Sequence, residues 1–235
     1  MTTSTNVTNL PLQRRLVGVR VGLVEDHTLL AQSLLLTLRS EGAEVELFDV
    51  PGHEGAAAAV DAFLRRRPHV VLLDLDLGEG AVDGDQLIAP LTRGGVKVVM
   101  LTGSTDTARL GGCLERGAIG VIAKAEPLDF LVEQVRRAAR GERVLTAQRR
   151  LELLLETRKE RAEREHRLAP FQALTDREQE VLLELMRGRQ VEEISRAMFV
   201  SAATVRTHVR AILQKLGVRS QLAAVARARE VGWGD

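Results

Sequence analysis

The chain has 235 residues with 45% hydrophobic and 28% charged side chains, which predicts a folded globular protein of one large or two ordinary domains rather than a disordered one. No apolar run approaches the length that spans a bilayer, and the polar first fifteen residues lack the apolar segment of a secretory signal, so we expect a cytoplasmic protein without membrane contact. The single cysteine, Cys113, excludes an intramolecular disulfide.

The net charge of +1 hides an uneven distribution along the chain. Residues 17–140 carry 13 Lys and Arg against 18 Asp and Glu, whereas residues 141–235 carry 18 against 14. Residues 200–229 contain six basic residues and no acidic one. This distribution suggests a metal or phosphate site in the first part and a polyanion-binding module at the end.

The first half of the chain alternates predicted strands and helices. The strands cover Val17–Val24, Glu44–Val50, Val70–Leu73, Lys97–Thr102 and Gly120–Ala123, and the helices cover Thr28–Ser40, Gly55–Arg67, Asp85–Leu91, Asp106–Arg116 and Leu128–Arg140. The third strand is four apolar residues without interruption, which is typical of a strand buried on both faces. The alternation predicts an α/β fold with a five-stranded parallel sheet and helices on both faces.

The pattern changes after Leu145. Residues Arg149–Arg167 are charged throughout except for Leu151 and Leu153–Leu155. We interpret them as a solvated helical linker that ends before Pro170. The narrow leucine patch could pair with another helix, but it is too short to predict a coiled coil.

The last part of the chain is predicted to be all-α. The motif Thr-x-x-Glu at Thr175–Glu178 is a capping box that opens a helix to about Met186. Three further helices follow, over Val191–Met198, Ala202–Leu216 and Ser220–Glu230. Four short helices with a tight turn between the second and the third predict a helix-turn-helix module.

Polar side chains follow the predicted strands at one end of the sheet. They are Glu25 and Asp26 after the first strand, Asp74 after the third, Thr102 at the end of the fourth and Lys124 after the fifth. The carboxyl ends of parallel strands meet at one edge, where ligands bind in such sheets. Clustered carboxylates suit Mg²⁺, and a hydroxyl with a lysine suits phosphate oxygens. The set predicts a phosphoryl-transfer site, although Asp74 alone could merely cap the next helix.

With these residues in place, residues 17–141 resemble the receiver domain of bacterial two-component response regulators, which has a flavodoxin-like fold. The resemblance implies that Asp74 accepts a phosphoryl group from a sensor histidine kinase. It also implies a Mg²⁺ site and two phosphate-sensing groups. The metal ligands would be Glu25, Asp26, Asp74 and the backbone carbonyl of Asp76, with Thr102 as the switch hydroxyl and Lys124 as the phosphate-binding lysine.

The chain departs from this family pattern at two places. Val121 stands where the family usually has an aromatic switch residue, and the chain has no tyrosine. The loop from Asp74 to the Asp83–Gly84 pair is about two residues longer than usual and lacks the usual proline. We therefore expect phosphorylation to be transmitted mainly by movement of the loop Gly103–Asp106 rather than by rotation of a ring.

The predicted helix Ala202–Leu216 has two contrasting faces. One face carries apolar residues expected in the core, and the opposite face carries small residues beside two arginines. The apolar residues are Val205, Val209, Ile212 and Leu216, and the opposite residues are Ala203, Arg206, Thr207 and Arg210. A small, basic face of this kind can approach the DNA major groove and reach both bases and phosphates.

Residues Leu174–Glu230 resemble the LuxR/FixJ-type helix-turn-helix. The matching stretches are Leu-Thr-Asp-Arg-Glu-Gln-Glu-Val-Leu, Glu-Ile-Ser, Val-Ser-Ala-Ala-Thr-Val-Arg-Thr-His-Val and Leu-Gln-Lys-Leu-Gly-Val. The resemblance implies that Ala202–Leu216 is the recognition helix and that Ser220–Glu230 mediates dimerisation on DNA. The implied DNA contacts are Thr204, Arg206, Thr207, Arg210 and Lys215, and the implied dimerisation residues are Leu222, Val225 and Ala226.

The order of the two resemblances is that of NarL/FixJ-type response regulators. It implies a receiver at 17–141, a helical linker at 142–170 and a DNA-binding domain at 171–235. The expected function is transcriptional regulation controlled by phosphorylation of Asp74, not enzymatic turnover. The expected partners are Mg²⁺, a sensor histidine kinase and double-stranded DNA, with RNA polymerase as a further candidate and a homodimer forming on phosphorylation or on DNA.

Two alternatives stay open on the sequence. A regulator of the same fold could act without phosphate, and Val121 points mildly that way. The motif Asp74-Leu75-Asp76 also resembles the Asp-x-Asp of haloacid-dehalogenase-type phosphatases. That motif normally ends the first strand of its fold rather than the third, and the acidic pair Glu25–Asp26 is not expected there.

Overall fold

The computed structural model describes residues 16–49, 52, 55–78 and 80–234. The expectation about residues 1–15, and the predicted strand residue Val50, lie outside these ranges. The chain forms two compact units, the first ending at Thr157 and the second beginning at Arg158. None of the helices described combines the length and the apolar character needed to span a membrane. The predicted domain boundaries at 141 and 170 stay predictions.

The first unit is a parallel sheet with alternating helices. Its elements are β1 (Arg20–Val24), α1 (Thr28–Ser40), β2 (Glu44–Leu47), α2 (Ala56–Arg66), β3 (Val70–Asp74), α3 (Gly84–Arg93), β4 (Lys97–Thr102), α4 (Thr107–Glu115), β5 (Gly120–Ala123) and α5 (Leu128–Ala139). The strand order is β2-β1-β3-β4-β5, and every neighbouring pair is parallel. The predicted fold class is confirmed.

The sheet separates two apolar cores because successive side chains of a strand point to opposite faces. Val71 and Leu73 of β3 pack into the core that includes side chains of α2, α3 and α4. Val70 and Leu72 pack into the other core, beneath α1 and α5. All five residues of β3 are buried, as the uninterrupted apolar run predicts. Helices therefore cover both faces, with β3 at the centre.

The first strand begins later than predicted. Residues 17–19 form a turn, in which Val19 N donates to Leu16 O at 2.9 Å and Gly18 adopts a φ of +77°. A left-handed φ is easily reached by glycine and interrupts an extended strand. Of the two valines in this turn, Val19 packs against the core under α1 and α5, whereas Val17 is 73% exposed.

Helix α6 (Ala147–Gln172) begins in the first unit, where one side of the helix is buried. Leu153 is 2% exposed and belongs to the core that includes α4, and Thr157 is also buried. The hydroxyl of Thr157 donates to Ala108 O of α4 at 2.8 Å. Most residues of Arg149–Arg167 are exposed, as expected of a solvated helical linker. Within the leucine patch, Leu153 and Leu154 pack into the core of the first unit, whereas Leu151 and Leu155 stay exposed.

Helix α6 also continues through Pro170, so the predicted end before that residue is wrong. A proline inside a helix removes one N–H and leaves the carbonyl four residues earlier without its usual donor. That carbonyl belongs to His166, which is exposed and therefore accessible to water. The next residue, Phe171, is buried and stacks on Trp233 with ring centroids 5.4 Å apart. Burial of Phe171 favours continuation of the helix.

The remaining helices are α7 (Asp176–Met186), α8 (Val191–Ala197), α9 (Ala202–Leu216) and α10 (Gln221–Glu230). The predicted capping box is present: Thr175 N donates to Glu178 Oε2 at 2.7 Å, and Glu178 N donates to Thr175 Oγ1 at 3.4 Å. The side chains of Ser201 and Ser220 cap α9 and α10. One apolar core joins these helices, so the four-helix prediction is confirmed.

Gly84 permits the return of the β3–α3 loop to the sheet. Its N–H donates to Leu75 O at 3.2 Å, and an added Cβ would lie 2.0 Å from Asp74 O. We expect Gly84→Ala to lower the free energy of unfolding of the first unit by about 1–3 kcal/mol, because a packed backbone must move to admit the methyl group. Gly55→Ala is the control, since its Cβ would meet no atom within 4 Å. Denaturation followed by circular dichroism measures both, and equal losses would contradict the steric argument.

Candidate functional site

The carboxyl ends of four strands supply polar side chains to one edge of the sheet. Asp74 ends β3, Thr102 ends β4, and Glu25 and Lys124 directly follow β1 and β5. Backbone pairing sets their order across the sheet, since Asp74 lies opposite Leu101 and Thr102 lies opposite Ala123. Parallel pairing thus collects residues that are separated by up to about a hundred positions in sequence.

Lys124 is the cation at the centre of this edge. Its Nζ lies 2.6 Å from Asp74 Oδ2 and 2.7 Å from Glu25 Oε1. Both carboxylate side chains have no exposed area, so each depends on this amine for a charged partner. Burial lowers the pKa of Lys124, but the hydrogen bonds to Asp74 and Glu25 outweigh it and hold that pKa above its usual value. Lys124 is therefore charged at neutral pH.

The pKa of Asp74 is higher than is usual for an aspartate. Burial raises its pKa to about 6, although the hydrogen bonds from Lys124 and from Asp76 N oppose the shift. The neighbouring Asp26 behaves differently: burial raises its pKa, but its hydrogen bond with Asp74 and the charges of His27 and Lys124 leave it below the usual value. Asp74 thus retains a proton more readily than Asp26, and it is mainly ionised at neutral pH.

The cluster also fits a divalent cation. Ligand atoms of Glu25, Asp26, His27 and Asp74 all lie within 4.8 Å of one another. Glu25 Oε2 is buried and has no hydrogen-bond partner among the residues that the structure describes, which leaves an acceptor with unused capacity in the site. Carboxylate oxygens are the ligands that Mg²⁺ prefers. The residues present therefore fit the Mg²⁺ that the receiver resemblance implies.

His27 was not predicted as a site residue. Its Nδ1 lies 3.0 Å from Glu25 Oε1, 2.8 Å from Asp26 Oδ1 and 3.2 Å from Lys124 Nζ. Its position directly after the acidic pair was the available sequence signal. The ring lies over the two carboxylates on the exposed side of the cluster, where it can hydrogen-bond to either.

Arg109 of α4 also reaches the site and was not predicted. Its Nη1 lies 2.5 Å from Asp76 Oδ1, and its Nη2 lies 3.5 Å from Leu75 O and 3.9 Å from Asp83 Oδ1. Burial lowers the pKa of Arg109, but the hydrogen bond to Asp76 and the nearby acidic charges outweigh it, so this pKa lies above its usual value. Arg109 is 33 residues from Asp76, and no local sequence pattern signals such a contact.

Thr102 begins a series of hydrogen bonds that leads to α4. Its buried Oγ1 accepts from Ser104 N at 2.9 Å. The Oγ of Ser104 accepts from Asp106 N at 3.1 Å, and Asp106 Oδ1 caps α4 by accepting from Ala108 N and Arg109 N at 3.0 Å. The loop that we expected to move is therefore bonded at one end to the predicted switch hydroxyl and at the other to α4.

In the second unit, the two faces of α9 have the predicted burial. Val205, Val209, Ile212 and Leu216 are all buried in the apolar core. The residues on the opposite face are exposed: Ala203, Arg206, Thr207 and Arg210. The helix therefore presents a small, basic face that a DNA groove can approach.

Several of the predicted DNA contacts already have partners within the protein. Arg206 Nη2 lies 2.7 Å from Glu192 Oε1 of α8. The hydroxyl of Thr207 donates to Ala203 O at 3.1 Å, and Thr204 Oγ1 lies 2.9 Å from Ser201 Oγ. Arg206 must exchange an ion pair to reach DNA, and Glu192 was not foreseen from the sequence because it lies on another helix.

Lys215 is held more firmly than the other predicted contacts. Its Nζ lies 2.6 Å from Glu178 Oε2, the carboxylate of the capping box. Burial raises the pKa of Glu178, but the hydrogen bonds from Lys215 and Thr175 outweigh it and hold that pKa below its usual value. Lys215 thus joins α9 to the start of α7. Its contact with the DNA backbone stays a prediction that competes with this pair.

The predicted dimerisation residues lie on one accessible side of α10. Leu222 is 79% exposed, Ala226 is exposed and Val225 is partly buried. Ala224 and Ala228 of the same helix face the core. An exposed leucine beside small residues gives an apolar surface, and pairing of two such helices stays a prediction.

Comparison with known proteins agrees with both halves of this description. Residues 21–136 match the family described as response regulator receiver domain, and residues 172–228 match the family described as bacterial regulatory proteins, luxR family. The parallel sheet with its acidic edge, followed by a helix-turn-helix unit, defines a DNA-binding response regulator.

Full-length relatives specify the family further. The chain is 32% identical over 208 residues to the nitrate/nitrite response regulator protein NarP of Escherichia coli (strain K12), covering 87% of this chain and 92% of that protein. It is 31% identical over 209 residues to the nitrate/nitrite response regulator protein homolog of Haemophilus influenzae, covering 88% and 94%. The transcriptional regulatory protein LiaR of Bacillus subtilis (strain 168) is 29% identical, with 89% and 96% covered.

The chain therefore belongs to the NarL/FixJ-type response regulators, the transcription regulators of two-component systems with a LuxR-type DNA-binding domain. These are regulators rather than classical enzymes, which disfavours the Asp-x-Asp phosphatase reading.

The raised pKa of Asp74 makes the first unit sensitive to pH. In the folded protein this pKa is about 6, against 3.8 for an ordinary aspartate, so the folded state binds the proton more tightly. Without divalent metal, lowering the pH from about 7 to about 5 should therefore add about 1 kcal/mol to the free energy of unfolding. Asp74→Asn should lack this increment, whereas Asp83→Asn, which alters an exposed aspartate of the same loop, should keep it.

Chemical denaturation in the presence of a chelator, followed by far-ultraviolet circular dichroism, measures the effect. Tryptophan fluorescence is unsuitable because the single tryptophan, Trp233, lies in the second unit. An identical pH dependence in wild type and Asp74→Asn would show that Asp74 is not the proton-binding carboxylate.

The ion pair between Glu192 and Arg206 gives a prediction for DNA binding. Glu192→Gln should strengthen binding to DNA of unrelated sequence by about 0.2–1 kcal/mol, the usual range for an exposed pair, because Arg206 no longer exchanges a partner. Arg206→Ala should weaken binding to a selected operator by about 1–3 kcal/mol if the guanidinium meets a base edge.

The neighbouring Arg210 provides the contrast. Arg210→Ala should lower affinity for all sequences and make the salt dependence shallower by about 0.9 for each phosphate that the protein no longer neutralises. Fluorescence anisotropy over a salt series, with an operator selected from a random library, measures all three variants. If neither arginine variant changed affinity or salt slope, the DNA-contacting face would lie elsewhere.

Proposed function

We propose that the protein accepts a phosphoryl group on Asp74 from a sensor histidine kinase and that this modification controls DNA binding by its second unit. The observation that carries the proposal is the buried Asp74 carboxylate, held 2.6 Å from Lys124 beside an acidic pair. A free carboxylate in this position is a nucleophile with a cation ready for the incoming phosphate oxygens.

The transfer step needs little from the protein beyond positioning. A carboxylate oxygen of Asp74 forms a bond to phosphorus while the bond from phosphorus to the donor atom breaks, and the electron pair leaves with the donor. The donor atom is the histidine nitrogen of the kinase or the acyl oxygen of a small phosphodonor. Lys124 moves from the carboxylates toward the phosphate oxygens. Its amine remains protonated throughout.

The acidic site has a second role. Glu25, Asp26, Asp74 and the backbone carbonyl of Asp76 would hold Mg²⁺, which when bound neutralises charge on the transferring group. His27 lies close enough to Glu25 and Asp26 to retain hydrogen bonds to them. The unpartnered Glu25 Oε2 supports this assignment, because a buried carboxylate oxygen otherwise lacks any compensation for its lost water.

Phosphorylation adds about −1.5 to −2 charges to a site that is already acidic. We infer that Thr102 turns its hydroxyl toward the phosphoryl group and gives up its bond to Ser104 N. The loop Gly103–Asp106 then shifts. An added Cβ at Gly103 would meet no atom within 4 Å, so there is open space beside this residue. Val121 can uncover only two methyl groups, so the loop rather than residue 121 carries the change.

The second unit acts through the exposed face of α9, with Arg206, Thr207 and Arg210 toward the major groove and Thr204 toward the backbone. We propose that two copies pair through Leu222, Val225 and Ala226 and read two half-sites about one helical turn apart. RNA polymerase is a further proposed partner. Because the DNA partner is chromosomal, we place the protein in the bacterial cytoplasm.

A regulator of the same fold that ignores phosphate is the second candidate function. The observation in its favour is Val121, a small residue that is partly buried against the apolar core. The two candidates differ in one measurable property, the response of operator binding to a phosphodonor.

The proposal predicts a specific chemical product. Incubation with acetyl phosphate and Mg²⁺ should convert Asp74 to an acyl phosphate, visible by intact mass and by a phosphate-affinity gel. Asp74→Asn should remain unmodified, because its neutral amide is a far weaker nucleophile than the carboxylate, and Asp83→Asn should be modified like wild type. Equal labelling of the Asp74→Asn variant would refute the assignment.

The same samples test the output. Sedimentation and operator binding should both respond to the phosphodonor in wild type but not in Thr102→Ala. If Asp74 were phosphorylated in wild type and neither property changed, the phosphate-independent candidate would be the correct one.

A further inference from the structure

We propose that Arg109 is a positioning residue that couples the phosphoacceptor loop to helix α6, with α4 as the connecting element. The inference rests on the proposed function, since it concerns how phosphorylation of Asp74 is transmitted. It adds a route that does not depend on an aromatic switch.

The first contact joins α4 to the loop that follows Asp74. Arg109 binds Asp76 Oδ1 at 2.5 Å, approaches Leu75 O at 3.5 Å and lies 3.9 Å from Asp83 Oδ1. One guanidinium therefore contacts the beginning and the end of the β3–α3 loop. Only an arginine can do this, because its several N–H donors diverge from one planar group.

The second contact joins α4 to α6. Thr157 Oγ1 lies 2.8 Å from Ala108 O and 2.9 Å from Leu153 O of its own helix, so its single hydroxyl hydrogen is placed to donate to one or is shared between both. A Cβ added at Gly111 would lie 2.0 Å from Thr157 Oγ1 and 2.3 Å from Leu153 O. The two helices thus touch where α4 has no side chain. Ala108 and Gly111 flank Arg109 in the sequence of α4.

These contacts leave little freedom for α4 to move alone. Packed interiors respond to displacement by discrete rearrangement rather than by compression. A shift of the first turn of α4 must therefore move α6 or break the Thr157–Ala108 bond. The same turn is capped by Asp106, the end of the hydrogen-bond series from Thr102, so both routes from the site converge on it.

Phosphorylation of Asp74 would create a new anionic partner for Arg109. The new phosphoryl oxygens lie on Asp74, next to the residues that Arg109 already binds, and they attract a guanidinium more strongly than one carboxylate does. Arg109 then redistributes between Asp76 and the phosphate, and α4 follows its side chain. Helix α6 continues past Thr157 into the second unit. A change in how α6 packs on α4 therefore transmits the signal to the DNA-binding unit.

The experiment is hydrogen exchange of the full-length protein, read by mass spectrometry on peptides within residues 147–157, with and without acetyl phosphate and Mg²⁺. In wild type we expect exchange in this segment to change at least several-fold on phosphorylation. In Arg109→Gln we expect phosphorylation to proceed while this change disappears. Arg109→Lys keeps the charge but cannot contact Asp76 and Leu75 together, so it should restore only part of the change.

Two further variants make the test specific. Arg116→Gln removes an arginine at the end of α4 that pairs with Asp85 at 3.2 Å, and it should leave the phosphorylation response intact. Gly111→Ala should raise exchange in residues 147–157 before any phosphodonor is added, because the methyl group displaces α6. A general loss of stability would instead raise exchange throughout the first unit, including the central strand β3.

The outcomes separate this inference from the proposed function. Absence of an acyl phosphate on wild type by intact mass would overturn the proposed function itself. An acyl phosphate on Asp74 with a normal response in Arg109→Gln would overturn only the role of Arg109. If Arg109→Gln did not fold, the comparison of Arg109→Lys with Arg116→Gln would decide, and equal responses in these two would overturn the inference.

Discussion

The site depends on one partly buried cation shared by two buried carboxylates. Lys124 reaches from the end of β5 to Asp74 and Glu25, whose side chains have no exposed area, and without it these two acids would lose their shared lysine partner. Such pairs add little net stability, because desolvation offsets the attraction. The sheet is stable through its two apolar cores, and they hold the polar edge in a geometry that it would not adopt alone. The raised pKa of Asp74 reflects its burial at this edge.

Helix α4 connects this edge to the rest of the molecule. Asp106 caps its first turn, and Arg109 joins that turn to the loop after Asp74 by an ion pair with Asp76. Helix α6 packs against α4 at Ala108 and Gly111. Under the proposed function, a phosphoryl group on Asp74 would act on an element that is already bonded to both the site and α6. The proposed route through α4 does not need a large residue at position 121, where this chain has valine.

In the second unit, some basic side chains of the acid-free stretch are already paired with acidic side chains from other helices. Arg206 and Lys215 are both ion-paired, one with Glu192 and the other with Glu178. The first pair is exposed and costs little to break, whereas the second involves the carboxylate of the capping box and joins α9 to α7. The acids lie outside the acid-free stretch 200–229, so local charge counting overstates the charge available for DNA.

The sequence by itself determined the elements, the sheet, the helix-turn-helix and the residues that meet at the strand ends, because apolar periodicity and strand order depend on local chemistry and simple pairing rules. Only the tertiary structure decided which side chains from distant elements meet there. Arg109 reaches Asp76, Glu192 reaches Arg206, and Gly111 admits Thr157. The continuation of α6 through Pro170 was also decided by tertiary packing, because burial of Phe171 outweighs a local helix-breaking preference. Such contacts depend on how whole elements pack, and no short stretch of sequence records that.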